Sequence, residues 1–121
     1  MLSYEIDGSV LTLRVSGTIT PKERRHVFAA VQADARVPNG ALVLLDVRKS
    51  TVRLHDYAVI ERVRVLIDQL GSKLGRACAI VNPLGPDKQS GVFQDAASDF
   101  GLWVRCFRDE ASARDWLNGH G

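Results

Sequence analysis

Apolar and polar residues alternate from the start of the chain. Leu2, Tyr4 and Ile6 interleave with Ser3, Glu5 and Asp7, and a period of two predicts a β-strand. Asp7-Gly8 then supplies the positive backbone angles of a tight hairpin turn. Alternation resumes with Leu11, Leu13 and Val15 against Thr12, Arg14 and Ser16, so the two strands are expected to form an antiparallel hairpin with one wet face. The period changes after Thr20-Pro21-Lys22-Glu23. Thr20 suits a helix cap, Pro21 its first turn, and Glu23 the position that reaches back to the cap. Val27, Phe28, Val31 and Ala35 follow as one helical stripe, ending before Pro38-Asn39-Gly40.

The run Ala41-Leu42-Val43-Leu44-Leu45-Asp46-Val47 is apolar on both faces until Asp46, the pattern of a central parallel strand. Residues 48–56 read as a polar, irregular loop. Asp56 is a cap candidate, after which Val59, Ile60, Val63, Leu66, Ile67 and Leu70 recur at helical spacing until Gly71. Ala77 to Val81 predicts a buried strand, Asn82 to Pro86 a loop, and Val92 to Phe100 a third helical stripe. Leu102 to Phe107 predicts the last strand, and Asp109 caps a short helix through Trp116 and Leu117. A hairpin followed by alternating strands and helices argues for an α/β sandwich: a mostly parallel five-stranded sheet with four helices and right-handed crossovers.

Composition narrows the class further. The 121 residues make one domain, 1–121, with 45% hydrophobic and 25% charged residues, as in ordinary globular proteins. Sixteen Lys and Arg against fourteen Asp and Glu leave +2, too balanced to imply nucleic acid or an anionic membrane. No apolar run approaches the ~20 residues of a membrane span. The N-terminus lacks a basic region followed by an apolar core, so no signal peptide is expected, and a cytoplasmic location is. Cys78 and Cys106 sit in apolar runs, where a thiol is an apolar filler in a reduced protein.

Three stretches carry a resemblance. They are Leu13-Arg14-Val15-Ser16-Gly17-Thr18-Ile19-Thr20-Pro21, then Leu44-Leu45-Asp46-Val47 with the polar loop and long helix behind it, and the closing Phe107-Arg108-Asp109 through Trp116-Leu117. In order and spacing they resemble SpoIIAA-like (STAS-type) domains, the fold of bacterial anti-sigma-factor antagonists, and specifically the stand-alone uncharacterised branch. The resemblance implies a SpoIIAA-like sandwich and a bacterial regulatory domain that binds another protein. Antagonist members carry Asp-Ser-Ser-Gly at the start of the helix after the third strand, where a serine is phosphorylated. Here Asp56 is followed by Tyr57 and Ala58, so the phosphate acceptor is missing unless Ser50 or Thr51 replaces it.

Candidate chemistry concentrates in one loop. In open parallel sheets ligands bind beyond the carboxyl ends of the strands. Arg48, Lys49, Ser50, Thr51, Arg53 and His55, with Asp56 and Tyr57 at the helix start, offer three fixed positive charges, hydroxyls and an imidazole there. An acidic partner surface, a phosphate or a carboxylate suits such a set, and so does plain solvation. Asn82 to Gln89 reads either as the opposite lip of a shared crevice or only as a rigid turn. No phosphate-loop or dinucleotide motif occurs, and Gly71-Ser72-Lys73-Leu74-Gly75 follows a helix instead of preceding one. His26, His55 and His120 are scattered, so no metal or cofactor is expected. With no Gly-x-Ser-x-Gly elbow the chain is expected to be non-enzymatic, a protein-binding homodimer. The alternative is a carrier of a small apolar ligand or lipid, in the manner of CRAL-TRIO domains, using a cleft under Tyr57, Val59 and Val63.

Overall fold

The computed structural model describes residues 1–50, 64, 65, 67–82 and 101–119. Five strands lie side by side in chain order. They are β1 (Leu2–Asp7), β2 (Val10–Gly17), β3 (Ala41–Ser50), β4 (Leu74–Val81) and β5 (Trp103–Phe107). β1 and β2 are antiparallel, and every later neighbour pair is parallel. The hairpin turns on Gly8-Ser9, with Gly8 at φ 60°, the first central position where a II′ turn takes glycine.

Helix α1 (Pro21–Ala33) connects β2 to β3, and α2 (Glu110–Asn118) follows β5. Residues 64, 65 and 67–70 are also helical and run into a 3-10 turn, Gly71–Lys73, where Gly71 takes the left-handed φ of 53°. Three helices are thus seen among the described residues. The fourth expected stripe, 92–100, lies outside them, as do residues 51–63. The caps form as expected: Thr20 Oγ1 accepts the Glu23 N–H at 3.1 Å and Asp109 Oδ1 accepts the Ser112 N–H at 2.8 Å. The Glu23 carboxylate is used differently from a capping box, because its Oε2 accepts the Leu2 N–H at 2.9 Å. It thereby ties α1 to β1. α1 also ends sooner than its apolar stripe suggested. Asp34 closes the helix, Ala35 is exposed, and Val37 takes the buried position.

Period-two alternation divides the core. Leu11, Leu13, Val43, Cys78, Ile80 and Cys106 face α1 and Leu70, packing on Phe28 and Val31. Leu42, Leu44, Ala77, Ala79 and Val81 face the other way, onto Ala113 and Leu117 of α2. A sheet whose strands advance in one direction through right-handed crossovers gathers its connecting helices on one face, leaving the other to the C-terminal helix. The supposed wet face of the hairpin is therefore covered on β2. Thr12 is 1% exposed beneath α2, where the Arg114 Nη2 donates to its Oγ1 at 3.2 Å.

Candidate functional site

β2 and β3 fall out of register near their carboxyl ends. Between the pairs Arg14–Asp46 and Ser16–Lys49, one residue of β2, Val15, faces two of β3, Val47 and Arg48. Such a bulge leaves a backbone group without a ladder partner and bends the strand. Asp46 satisfies the freed backbone group. Its Oδ1 accepts the Arg48 N–H at 3.1 Å and the Arg48 Nε at 2.9 Å, while Oδ2 accepts the Arg48 Nη2 at 2.7 Å.

Asp46 is 7% exposed, and a carboxylate so placed needs more than one cation. Arg14 supplies the second. Its Nη1 donates to Asp46 Oδ2 at 2.7 Å and to Glu110 Oε1 at 2.9 Å, and its Nε to Glu5 Oε1 at 3.1 Å. Glu110 opens α2, where the helix dipole favours an anion, and its Oε2 accepts the Arg114 Nε at 3.1 Å. Arg48 reaches Glu110 as well, at 3.5 Å. Three arginines and four carboxylates, counting Asp7 at 3.9 Å from Arg114, thus form one network binding β1, β2 and β3 to the start of α2.

The electrostatics follow from these contacts. Arg48, assisted by Arg14, holds the Asp46 carboxyl down at about 2 although burial opposes it. Arg14 and then Arg114 hold Glu110 below the usual carboxylate range, and Glu110 in turn pushes Arg14 up. The lowered Asp46 and Glu110 carboxyls and the raised Arg14 and Arg48 guanidiniums are all charged at neutral pH. The Cys78 thiol is unsuited to nucleophilic work, since burial, with the neighbouring Cys106, pushes it up to about 12.

This arrangement corrects part of the sequence reading. Arg48, Lys49 and Ser50 are not in an irregular loop, because β3 continues to Ser50, which pairs with Gly17. Arg48 is already engaged by Asp46 and Glu110, whereas Lys49 is exposed. Thr51, Arg53, His55, Asp56 and Tyr57 lie outside the described residues, as do Val59, Val63 and residues 83–89. His26 is on the exposed face of α1. Among the described residues no His, Cys, Asp and Glu cluster suits a metal, and no helix is long and apolar enough to cross a membrane.

Sequence reasoning missed Asp46 as a site residue, and with it Arg14, Glu110 and Arg114. One signal was available: Asp46 inside an otherwise apolar strand demands a cation, and Arg14 is the cation in register with it. No local pattern names Glu110, 96 residues away from Arg14.

No protein-family model matches the sequence, and a search of curated proteins finds no match. Among solved structures, the chain is similar to an uncharacterised protein of the DUF3478 family from Shewanella loihica PV-4, described as having a SpoIIAA-like fold. The superposition has a TM-score of 0.66 at 19% identity, and covers 97% of this chain and 92% of that one. The fold is SpoIIAA-like. That agrees with the architecture read from the hairpin, the parallel strands and the capped helices.

Proposed function

We propose that this SpoIIAA-like chain is a non-catalytic interaction domain that binds another protein through the carboxyl end of β3. The observation that supports this reading is the bulge at Val47-Arg48. It locks Arg48 onto Asp46 and leaves Lys49 exposed at the end of the strand, next to the segment carrying Arg53 and His55. A charged surface mounted on a rigid strand suits recognition, because little side-chain freedom is lost when a partner docks. The lowered Asp46 carboxyl and the buried Cys78 thiol favour binding over acid–base or nucleophilic chemistry. The resemblance to anti-sigma-factor antagonists points the same way, although Tyr57 and Ala58 replace the phosphorylated serines.

The test is a photo-crosslinking residue at position 49, introduced in the cells that make the protein. One discrete protein adduct is expected, lost when Arg53→Glu reverses the neighbouring charge. A native mass spectrum of the purified chain is recorded alongside. An apolar small molecule bound there, together with no adduct at position 49, overturns the proposal in favour of a carrier.

A further inference from the structure

Among the described residues, the two edges of the sheet are finished differently. At β1 the outward N–H of Leu2 is occupied by Glu23 Oε2, so a side chain caps the start of that edge. At the far edge, the Asn82 N–H donates to the Phe107 carbonyl at 2.8 Å, which shows that the backbone groups of Phe107 face β4. In a parallel pair the facing residues alternate, so Trp103 and Arg105 also face β4 while the N–H and C=O of Val104 point outward. Val104 is only half-buried, whereas Cys78, its neighbour in register, is 0% exposed. Trp103 is 62% exposed on a strand whose same-face neighbour, Arg105, is exposed too.

We infer that β5 is a homodimer interface, in which two copies pair their β5 strands antiparallel about a two-fold axis at Val104. Residues set opposite one another must share a face, and the outward-pointing residues must meet. Placing the axis at Arg105 sets two guanidinium groups against each other in a closely spaced pair, which is repulsive. Placing it at Trp103 carries the pairing into Gly101, whose φ of 77° is not strand geometry. Placing it at Cys106 sets Trp103 against Asp109, the cap of α2. With the axis at Val104 the central pairs avoid these faults, and Gly101 is reached only opposite Phe107 at the strand's end. Val104 meets Val104 of the second copy as a hydrogen-bonded pair. Trp103 then lies against Arg105 of the second copy, and Arg105 against its Trp103, giving two reciprocal cation–π contacts. Arg105 already lies 5.8 Å from the Phe107 ring, so its guanidinium is beside aromatic surface before the copies meet.

The inference is independent of the protein-binding surface at β3 and is tested by oligomeric state. Light scattering behind size-exclusion chromatography, over a dilution series, should show a dimer that dissociates. Trp103→Lys sets a cation opposite Arg105 and should weaken the dimer at least about tenfold. The second test is Val104→Cys. A hydrogen-bonded antiparallel pair holds its Cα atoms about 5.5 Å apart, within disulfide range. Mild oxidation should therefore give a covalent dimer with Val104→Cys and none with Arg105→Cys, the wild-type chain serving as blank for Cys78 and Cys106. A wild-type monomer at every concentration overturns the inference. So does a dimer indifferent to Trp103→Lys with no crosslink at position 104, or a crosslink at position 105 in its place.

Discussion

Arg48 grips Asp46 from two positions along the same strand, with Nε 2.9 Å from Oδ1 and Nη2 2.7 Å from Oδ2. Alternate residues of a regular strand stand side by side, and the bulge at Val47-Arg48 curls the backbone so that guanidinium and carboxylate meet at two points. Because Arg14 reaches the same carboxylate, the end of β3 carries less free positive charge than its sequence suggests. Lys49 is the residue there that a partner would meet as a cation.

Charge reversal at adjacent positions should therefore give opposite results. Arg48→Glu places a third carboxylate beside Asp46 and Glu110, and should cost about 2–3 kcal/mol. Lys49→Glu changes an exposed side chain and should stay within about 0.5 kcal/mol of wild type. Urea unfolding at matched slope measures both. Equal losses at the two positions would mean that the Asp46 contacts contribute nothing.

The Asp46 carboxyl also sets a pH dependence. Its folded value of about 2 lies below the ordinary 3.8, so the folded state binds a proton less readily than the unfolded chain. The stabilisation is complete above about pH 4 and is lost as pH falls through about 2, amounting to roughly 2 kcal/mol. Glu110, also depressed, contributes in the same direction. Asp46→Asn should remove this part of the acid sensitivity. The stability gap between wild type and Asp46→Asn should be constant near neutrality and shrink as pH is lowered from 4 to 2. A gap that does not change over that range would contradict the pairing.

What the sequence reveals of this fold depends on the range of the interaction. Thr20 and Asp109 cap their helices through atoms three residues away, and both caps form as their patterns predict. The hairpin and the apolar run from Ala41 are equally local. Thr12 and Arg14 show the limit. Their alternation with Leu11 and Leu13 places them on one face, but only the tertiary fold shows that α2 covers that face and turns Arg14 into a partner of Glu110. Of the candidate site, Arg48 and Lys49 were legible as charged positions, whereas Asp46 read only as the polar end of an apolar strand. The loop boundary was misplaced because a polar strand end, paired through Ser16 and Gly17, has the composition of a loop.

The start of α1 offers a test of two roles that the sequence merges. Thr20→Ala removes the acceptor of the Glu23 N–H and should cost about 1 kcal/mol, while Thr20→Ser keeps an oxygen there and should cost less. Glu23→Ala removes the acceptor of the Leu2 N–H instead. Its signature should be faster amide exchange at Leu2, beyond any change in global stability. If exchange at Leu2 is unaffected, the carboxylate is not capping the start of the β1 edge.

Gly75 is the most constrained glycine of the described residues. A methyl group there would stand 2.5 Å from the Gly40 carbonyl oxygen and 2.6 Å from that of Ala41. Both obstacles are backbone, so neither can swing aside. The pairing shows why the chains approach so closely: between Ala41–Leu74 and Val43–Cys78, β4 carries three residues against one of β3, and the excess is accommodated at Gly75-Arg76. Gly75→Ala must push β4 away from the start of β3, next to Ala41 and Cys78, which are fully buried. A loss of about 3 kcal/mol is expected, the upper range for an overpacked site. Gly119→Ala is the control. Its nearest atom is 3.4 Å away and its φ is −71°, which any residue adopts, so its effect should stay within about 0.5 kcal/mol. Thermal and urea unfolding of the two variants side by side separates a close backbone approach from the general cost of replacing glycine. Equal stabilities would mean that β4 can shift away from β3 freely, which the buried packing around Ala41 and Cys78 forbids.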